Sequence, residues 1–322
     1  MSVLGNVFNI VIFVSLVGSV FSVLSLLAKK VLNVALPVWF GVCGIGFYLI
    51  PLILPTLRLV PPESTSWIYG YQVACLIWIS GATIFGMYFA TRSLLACRAL
   101  KKYRICEDKR VNRVYRQCMA TSGLRKTPVL YFGALKDPAC VVVNFRPAVI
   151  LNESVINHLT DRELAIILCH ELTHIKRNHN VYQRIFEFVS IVHWANPFVW
   201  ISKNDFAVHC EMDCDHMTLH TMDEETTGIE YAATMLHLME LSSYQQGHKA
   251  GSLGALGFLL AKQRLGFILN EPITIMRRII CITVLAIFLI LTATFSIYAS
   301  RSHFYPYPAF GSAPEYSDSL SS

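Results

Sequence analysis

His170-Glu171-Leu172-Thr173-His174 sets two imidazoles four residues apart, with a carboxylate directly after the first. On a helix, residues i and i+4 share a face, so both rings can reach one metal ion. Glu171 lies about 100° further round the helix. There, beside the ion, a carboxylate can take a proton from the attacking water. The pattern predicts a zinc hydrolase, with His170 and His174 as ligands and Glu171 as general base. A solvated surface helix can carry the same five residues by chance, and the flanking sequence argues against that reading.

A metal-binding helix needs a start and a buried face. Thr160-Asp161-Arg162-Glu163 has the Thr-x-x-Glu form of a capping box. Leu164, Leu168, Leu172 and Ile175 then repeat at helical spacing, with the histidine pair on the flank of that stripe. A catalytic zinc takes three protein ligands and leaves a fourth position for water. The third is expected from His209-Cys210-Glu211-Met212-Asp213-Cys214-Asp215-His216, in a helix that begins at Asn196-Pro197, a cap followed by a first-turn proline. Glu211 and Asp215 again stand at i and i+4. Glu211 is the preferred third ligand, with Asp215 holding a ligand imidazole by its other N–H. His209, Cys210, Cys214 and His216 compete for the metal, and an acidic pair on a helix is commonly a solvated face.

HELTHIKRNH, then WANPFVW, then Glu-x-x-Cys-Asp resemble the BlaR/MecR-type membrane metallopeptidases of bacteria and, more distantly, the HtpX and CAAX-processing membrane proteases. The resemblance runs over about residues 1–300. It implies that His170, His174 and Glu211 are zinc ligands and Glu171 the catalytic carboxylate. The implied fold is an α-helical membrane protein carrying an α+β, zincin-like (gluzincin) metalloprotease domain in the cytoplasm.

Composition agrees with a membrane protein. Hydrophobic residues make up 54% and charged residues only 15%, with a mean hydropathy of +0.48, high for a soluble enzyme. Apolar blocks at about residues 7–27, 34–57, 73–91 and 279–299 are each long enough to span a bilayer as a helix. The first lacks a basic leader and is read as a retained span. Residues 92–126 hold eleven Lys and Arg against Glu107 and Asp108, a net +9 in a chain of net +6. Such a cluster after a span marks the cytoplasmic side. The expected layout is an N-terminus outside, three spans within residues 1–91, a cytoplasmic protease domain over 92–278, a fourth span at 279–299 and an outside C-terminus. The basic run suits anionic lipid headgroups; no base-reading motif accompanies it, and nucleic acid is not expected as a partner. None of the ten cysteines falls in the stretches placed outside, so reduced thiols are expected.

Residues 186–201 are apolar and carry two tryptophans. A single crossing there would put His174 and Glu211 on opposite sides of the membrane, so this stretch is expected to be a buried or membrane-surface part of the domain. Residues 129–132, 141–143 and 148–151 read as short strands, and residues 228–241 as a helix. A glycine-rich stretch from Gly247 to Gly257 and an interfacial helix at 261–269 are expected to follow. The 22 residues from 301 to 322 read as a short disordered tail. The BlaR/MecR-type proteins carry a penicillin-binding domain at that end. This chain also contains no Ser-x-x-Lys sequence, so direct β-lactam sensing is not expected of it.

Three functions remain open: a regulated zinc endopeptidase acting on a cytosolic regulator such as a transcriptional repressor, linked to antibiotic response; an HtpX-like quality-control protease; and a catalytically silent receptor or scaffold. His193, Asn196, His216, His220 and His237 are candidate oxyanion donors. Assembly into a homo-oligomer is left open.

Overall fold

The computed structural model describes residues 3–32, 37–53, 65–100, 102–135, 137–143, 147–222 and 227–245, with Arg264, Gly266, Ile279, 281–283 and 285–286 beyond them. Three apolar helices come first: α1 (Val3–Leu32), α2 (Val38–Ile53) and α3 (Thr65–Leu100). Two stretches, Ile10–Lys29 and Gln72–Leu100, are long and apolar enough to cross a membrane, and Val38–Leu49 is a shorter apolar helix. Helix α3 turns Leu76, Ile77, Ile84, Met87, Leu94 and Leu95 outward, a face that suits hydrocarbon better than water. It extends past both ends of the expected 73–91 block, because Arg92 and Arg98 are good helix formers and nothing breaks the helix there. Of the expected fourth span, Ile279, 281–283 and 285–286 are described, and they are helical. The Gly247–Gly257 stretch and most of 261–269 lie outside the described residues.

The second half is mixed α and β. Strand β1 (Arg104–Ile105), helix α4 (Lys109–Ser122), strands β2 (Val129–Phe132), β3 (Ala139–Val143) and β4 (Pro147–Leu151), and helices α5 (Glu153–Ile156) and α6 (Asp161–Lys176) follow in order. The sheet runs β1-β2-β4-β3. Strand β2 is parallel to β4, and the other two pairings are antiparallel. Strand β3 is therefore an edge, and it packs against α6. Helix α4 places Val111, Val114, Tyr115 and Cys118 at 3–4 residue spacing and buries them against Leu164, Leu168 and Leu172 of α6 and Val149 and Leu151 of β4. Part of the basic cluster is spent inside this domain. Arg110 and Arg113 reach Asp161 at 2.5 and 2.7 Å, and Arg104 pairs with Glu153.

The capping box at the start of α6 is complete: Thr160 Oγ1 accepts from the Glu163 amide at 3.2 Å, and Glu163 Oε2 accepts from the Thr160 amide at 2.8 Å. Thr160→Ala is expected to cost about 1 kcal/mol, read as a lower midpoint in detergent-solubilised thermal unfolding.

Helix α7 (His179–Val192) and helix α8 (Pro197–Thr221) divide the 186–201 stretch between them, with His193–Asn196 as the turn. Asn196 caps α8 by accepting from the Phe198 amide at 2.9 Å. Both helices pack on the apolar bundle through Val14, Ile45, Tyr48, Phe186, Val189, Val199 and Phe206. Gly81 matters here, because a Cβ at that position would collide with the Trp194 ring. Polar contacts run along the α1–α8 seam: Ser15 Oγ to His193 Nδ1 at 2.6 Å, Asn196 Nδ2 to Ser19 Oγ at 2.8 Å, Ser202 Oγ to Ser22 Oγ at 2.7 Å, and Lys29 to Asp205. Helix α8 thus runs from the apolar helices to Glu211 and Asp215. Helix α9 (Gly228–Gln245) follows α8.

Candidate metal centre

Helices α6 and α8 pack side by side and bring the two halves of the expected site together. The Nε2 atoms of His170 and His174 stand 3.2 Å apart. Glu211 Oε2 is 3.3 Å from His170 Nε2, and Glu211 Oε1 is 3.4 Å from His174 Nε2. These separations, with a different Glu211 oxygen nearest each imidazole, are close to the edge of a coordination tetrahedron. Ligand bonds of about 2.0–2.1 Å require an edge of about 3.3 Å. The donor set, two imidazoles and a carboxylate, is one that suits zinc. His170 and His174 are 7% and 12% exposed and Glu211 is 35% exposed, so the cluster is walled by protein and open past the carboxylate.

Asp215 is fully buried, with Oδ1 at 3.2 Å from His170 Nδ1, on the far side of the ring from the donor cluster. Sequence reasoning missed three partners. Tyr231, on α9, places its hydroxyl 3.1 Å from His170 Nδ1 and donates to Asp215 Oδ1 at 2.7 Å. Arg264 donates to both Asp215 oxygens, at 2.8 and 2.6 Å. His179 sets Nδ1 at 3.3 Å from His174 Nδ1, and its Nε2 is 3.4 Å from Asp213 Oδ2. The chain reaches His179 through Asn178, whose φ of 56° is left-handed, a conformation asparagine tolerates better than most residues. His179 is the last residue of HELTHIKRNH, and the break after α6 was its only signal; nothing in the spacing pointed to Tyr231 or Arg264.

Cys214 is a rival donor, since ligand atoms of His170, His174 and Cys214 also lie within 4.8 Å of one another. Its sulfur lies 3.4 Å from His179 Nδ1, and burial pushes its thiol far above the ordinary range, away from the thiolate that binds metal. Glu211 is the better fit, as it touches both Nε2 atoms. The other candidates are engaged elsewhere. Cys210 is buried in the core shared with the apolar bundle, and His209 faces Asp205 at 3.3 Å. His216 pairs with His220 on the surface, and His237 pairs with Glu163 at 2.7 Å. His193 and Asn196 hold the α1–α8 seam.

The electrostatics favour a bound cation. Burial opposes charge on His170, yet Asp215 and Glu211 outweigh it and raise its pKa to about 10. Burial and the neighbouring His170 depress His174 to about 3. Burial would raise Glu211, but His170, Arg264 and His174 bring it down to about 2. The site therefore keeps Glu211 ionised and favours positive charge beside it, which a divalent ion supplies. Glu171 is raised to about 7, chiefly by burial; Glu211 and Asp137 add to this while His170 and Arg264 oppose it.

The family described as BlaR1 peptidase M56 matches residues 60–268. Among curated relatives, the chain is 24% identical over 195 residues to the regulatory protein BlaR1 of Bacillus licheniformis, covering 60% of this chain and 32% of that protein. It is 23% identical over 184 residues to the methicillin resistance mecR1 protein of Staphylococcus aureus, covering 57% of this chain and 31% of that one. The matched region thus spans about a third of each relative's length. With the matched segment containing the α6 and α8 donors and covering well over half of the chain, this protein belongs to the BlaR1 peptidase M56 family.

Proposed function

We propose that this chain is a membrane-anchored zinc metalloendopeptidase with a zincin-like (gluzincin) domain whose active site faces the cytoplasm. The observation that carries the reading is the cluster of His170, His174 and Glu211, in which the two Nε2 atoms and the Glu211 oxygen nearest each of them stand 3.2–3.4 Å apart. His170, His174 and Glu211 would hold a zinc ion, which when bound would supply an acidified water and a Lewis acid for a peptide carbonyl. Glu171 would serve as the base that takes a proton from the attacking water and returns it to the departing amine. Asp215 and Tyr231 hold His170 by its far nitrogen, fixing which nitrogen is presented. His179 stands behind His174 in the same way. An extended substrate pairs with the open edge of β3; this fits the packing of β3 on α6 and the influence of Glu171 on Cys140, whose thiol burial first, then Glu171, pushes up to about 12.

The outward apolar face of α3 and the basic residues after it support three spans within 1–91, a protease domain over 92–278, a fourth span at 279–299 and contact of the basic segment with anionic headgroups. The substrate we propose is a cytosolic regulator, such as a transcriptional repressor acting in an antibiotic response. Comparing the proteomes of cells carrying wild-type protein and Glu171→Gln tests this: one dominant new terminus supports a dedicated target. Broad cleavage of unfolded membrane proteins means quality control, and no difference at all rejects proteolysis.

The raised Glu171 pKa has a sign. The base must be ionised, so its working form disappears as pH falls through its pKa. A bound cation pulls that value down, so kcat/KM is expected to decline about tenfold per pH unit below a limb at or under pH 7. A rate profile whose acid limb lies above pH 8 contradicts the assignment.

A further inference from the structure

One guanidinium touches both carboxylates of α8 that contact the His170 ring. Arg264 Nε and Nη2 bind Asp215, while Nη1 lies 3.3 Å from Glu211 Oε2. That same Glu211 oxygen is 3.3 Å from His170 Nε2, and Asp215 Oδ1 is 3.2 Å from His170 Nδ1. Each carboxylate therefore has one contact on the His170 ring and another on Arg264. Two like charges one turn apart on a helix repel each other. A fully buried Asp215 stays ionised only where charge and hydrogen bonds compensate it. With Tyr231, two Arg264 nitrogens and His170 Nδ1 all directed at it, the ionised form is the one that accepts from every neighbour. A guanidinium can meet both demands, because its planar fork binds one carboxylate through two nitrogens and leaves a third for the next. A lysine ammonium is a point charge and lacks that span.

We propose that Arg264 is a positioning residue of the metal centre. By clamping Asp215 and Glu211 together it fixes the His170 ring and the Glu211 carboxylate, so that metal affinity depends on a side chain touching neither metal nor substrate. This rests on the metallopeptidase reading above, and its test separates the two. Zinc affinity of the full chain in detergent is measured by competition with a chromophoric chelator, for wild type, Arg264→Ala, Asp215→Asn and the double variant, with thermal unfolding recorded for each. Arg264→Ala is expected to weaken zinc binding about 10–100-fold, the range for loss of a partner behind the ligands. In the Asp215→Asn background the clamp has lost its charged two-nitrogen grip and keeps only the single contact with Glu211, so the further loss is expected to be under about threefold. Arg264→Lys keeps the charge without the fork and is expected to stay weakened at least about threefold; it carries the test if Arg264→Ala does not fold. Wild-type affinity in both Arg264 variants overturns the proposal, as does an equal loss in both backgrounds. Lost turnover at unchanged affinity also overturns it, because the guanidinium then acts on substrate. Failure of the wild-type chain to bind zinc refutes the metallopeptidase reading itself, whatever Arg264 does.

Discussion

Glu171→Gln is expected to retain one zinc per chain and to lower peptidase turnover by about 10²–10⁴-fold, the range for removing a positioned general base. The substitution keeps the shape of the side chain. It replaces a group that takes up a proton with an amide that does not, and Glu171 is not one of the three mutually close donors. Burial already brings its pKa to about 7, the range in which a carboxylate works well as a base at neutral pH. Metal content and single-turnover cleavage measured on the same preparation check this. A variant that keeps more than a tenth of wild-type turnover removes Glu171 from the mechanism.

His174→Ala should do the opposite and lose the metal. A structural zinc contributes on the order of 10–16 kcal/mol over its ligands, or about 3 kcal/mol for each. Deleting one of three donors therefore weakens binding by on the order of 100-fold or more, and activity disappears with it. Glu211→Ala should behave the same way, because its carboxylate oxygens lie against both Nε2 atoms. Cys214→Ser should leave zinc affinity within about threefold, since its sulfur is directed at His179 and a metal-binding cysteine would cost about the per-ligand value. Titrating the four proteins side by side with zinc ranks the donors directly. Loss of metal in Cys214→Ser with retention in Glu211→Ala would reverse the ligand assignment.

The motif helix and the second donor helix were readable because local chemistry dictates them. A capping box, a leucine stripe and an asparagine followed by proline each act within a few residues, and the structure carries α6 and α8 from those starts. The i and i+4 spacing of Glu211 and Asp215 placed them on one face, and the two carboxylates do lie on either side of His170. Glu211 was preferred from the sequence with Cys214 still competing, and it is the packing of α8 on α6, which no spacing within α8 encodes, that sets Glu211 against both Nε2 atoms. Strand β1 escaped notice because two residues give no alternation to read. Tyr231 and Arg264 escaped because their contacts with Asp215 join positions 16 and 49 residues apart, and a lone tyrosine or arginine looks like any other. The 186–201 stretch was legible through the site and not through its composition, because a single crossing would part His174 from Glu211. Its apolar composition is that of a span, yet the His193–Asn196 turn divides it, and its polar groups find partners on α1.

X-ray absorption of the zinc-loaded chain reads the metal's neighbours directly. The account predicts two imidazole nitrogens and one carboxylate oxygen at about 2.0–2.2 Å, with a light-atom solvent ligand and no sulfur. A shell at about 2.3 Å, the zinc–thiolate distance, would put Cys214 in place of Glu211 and contradict the centre described here.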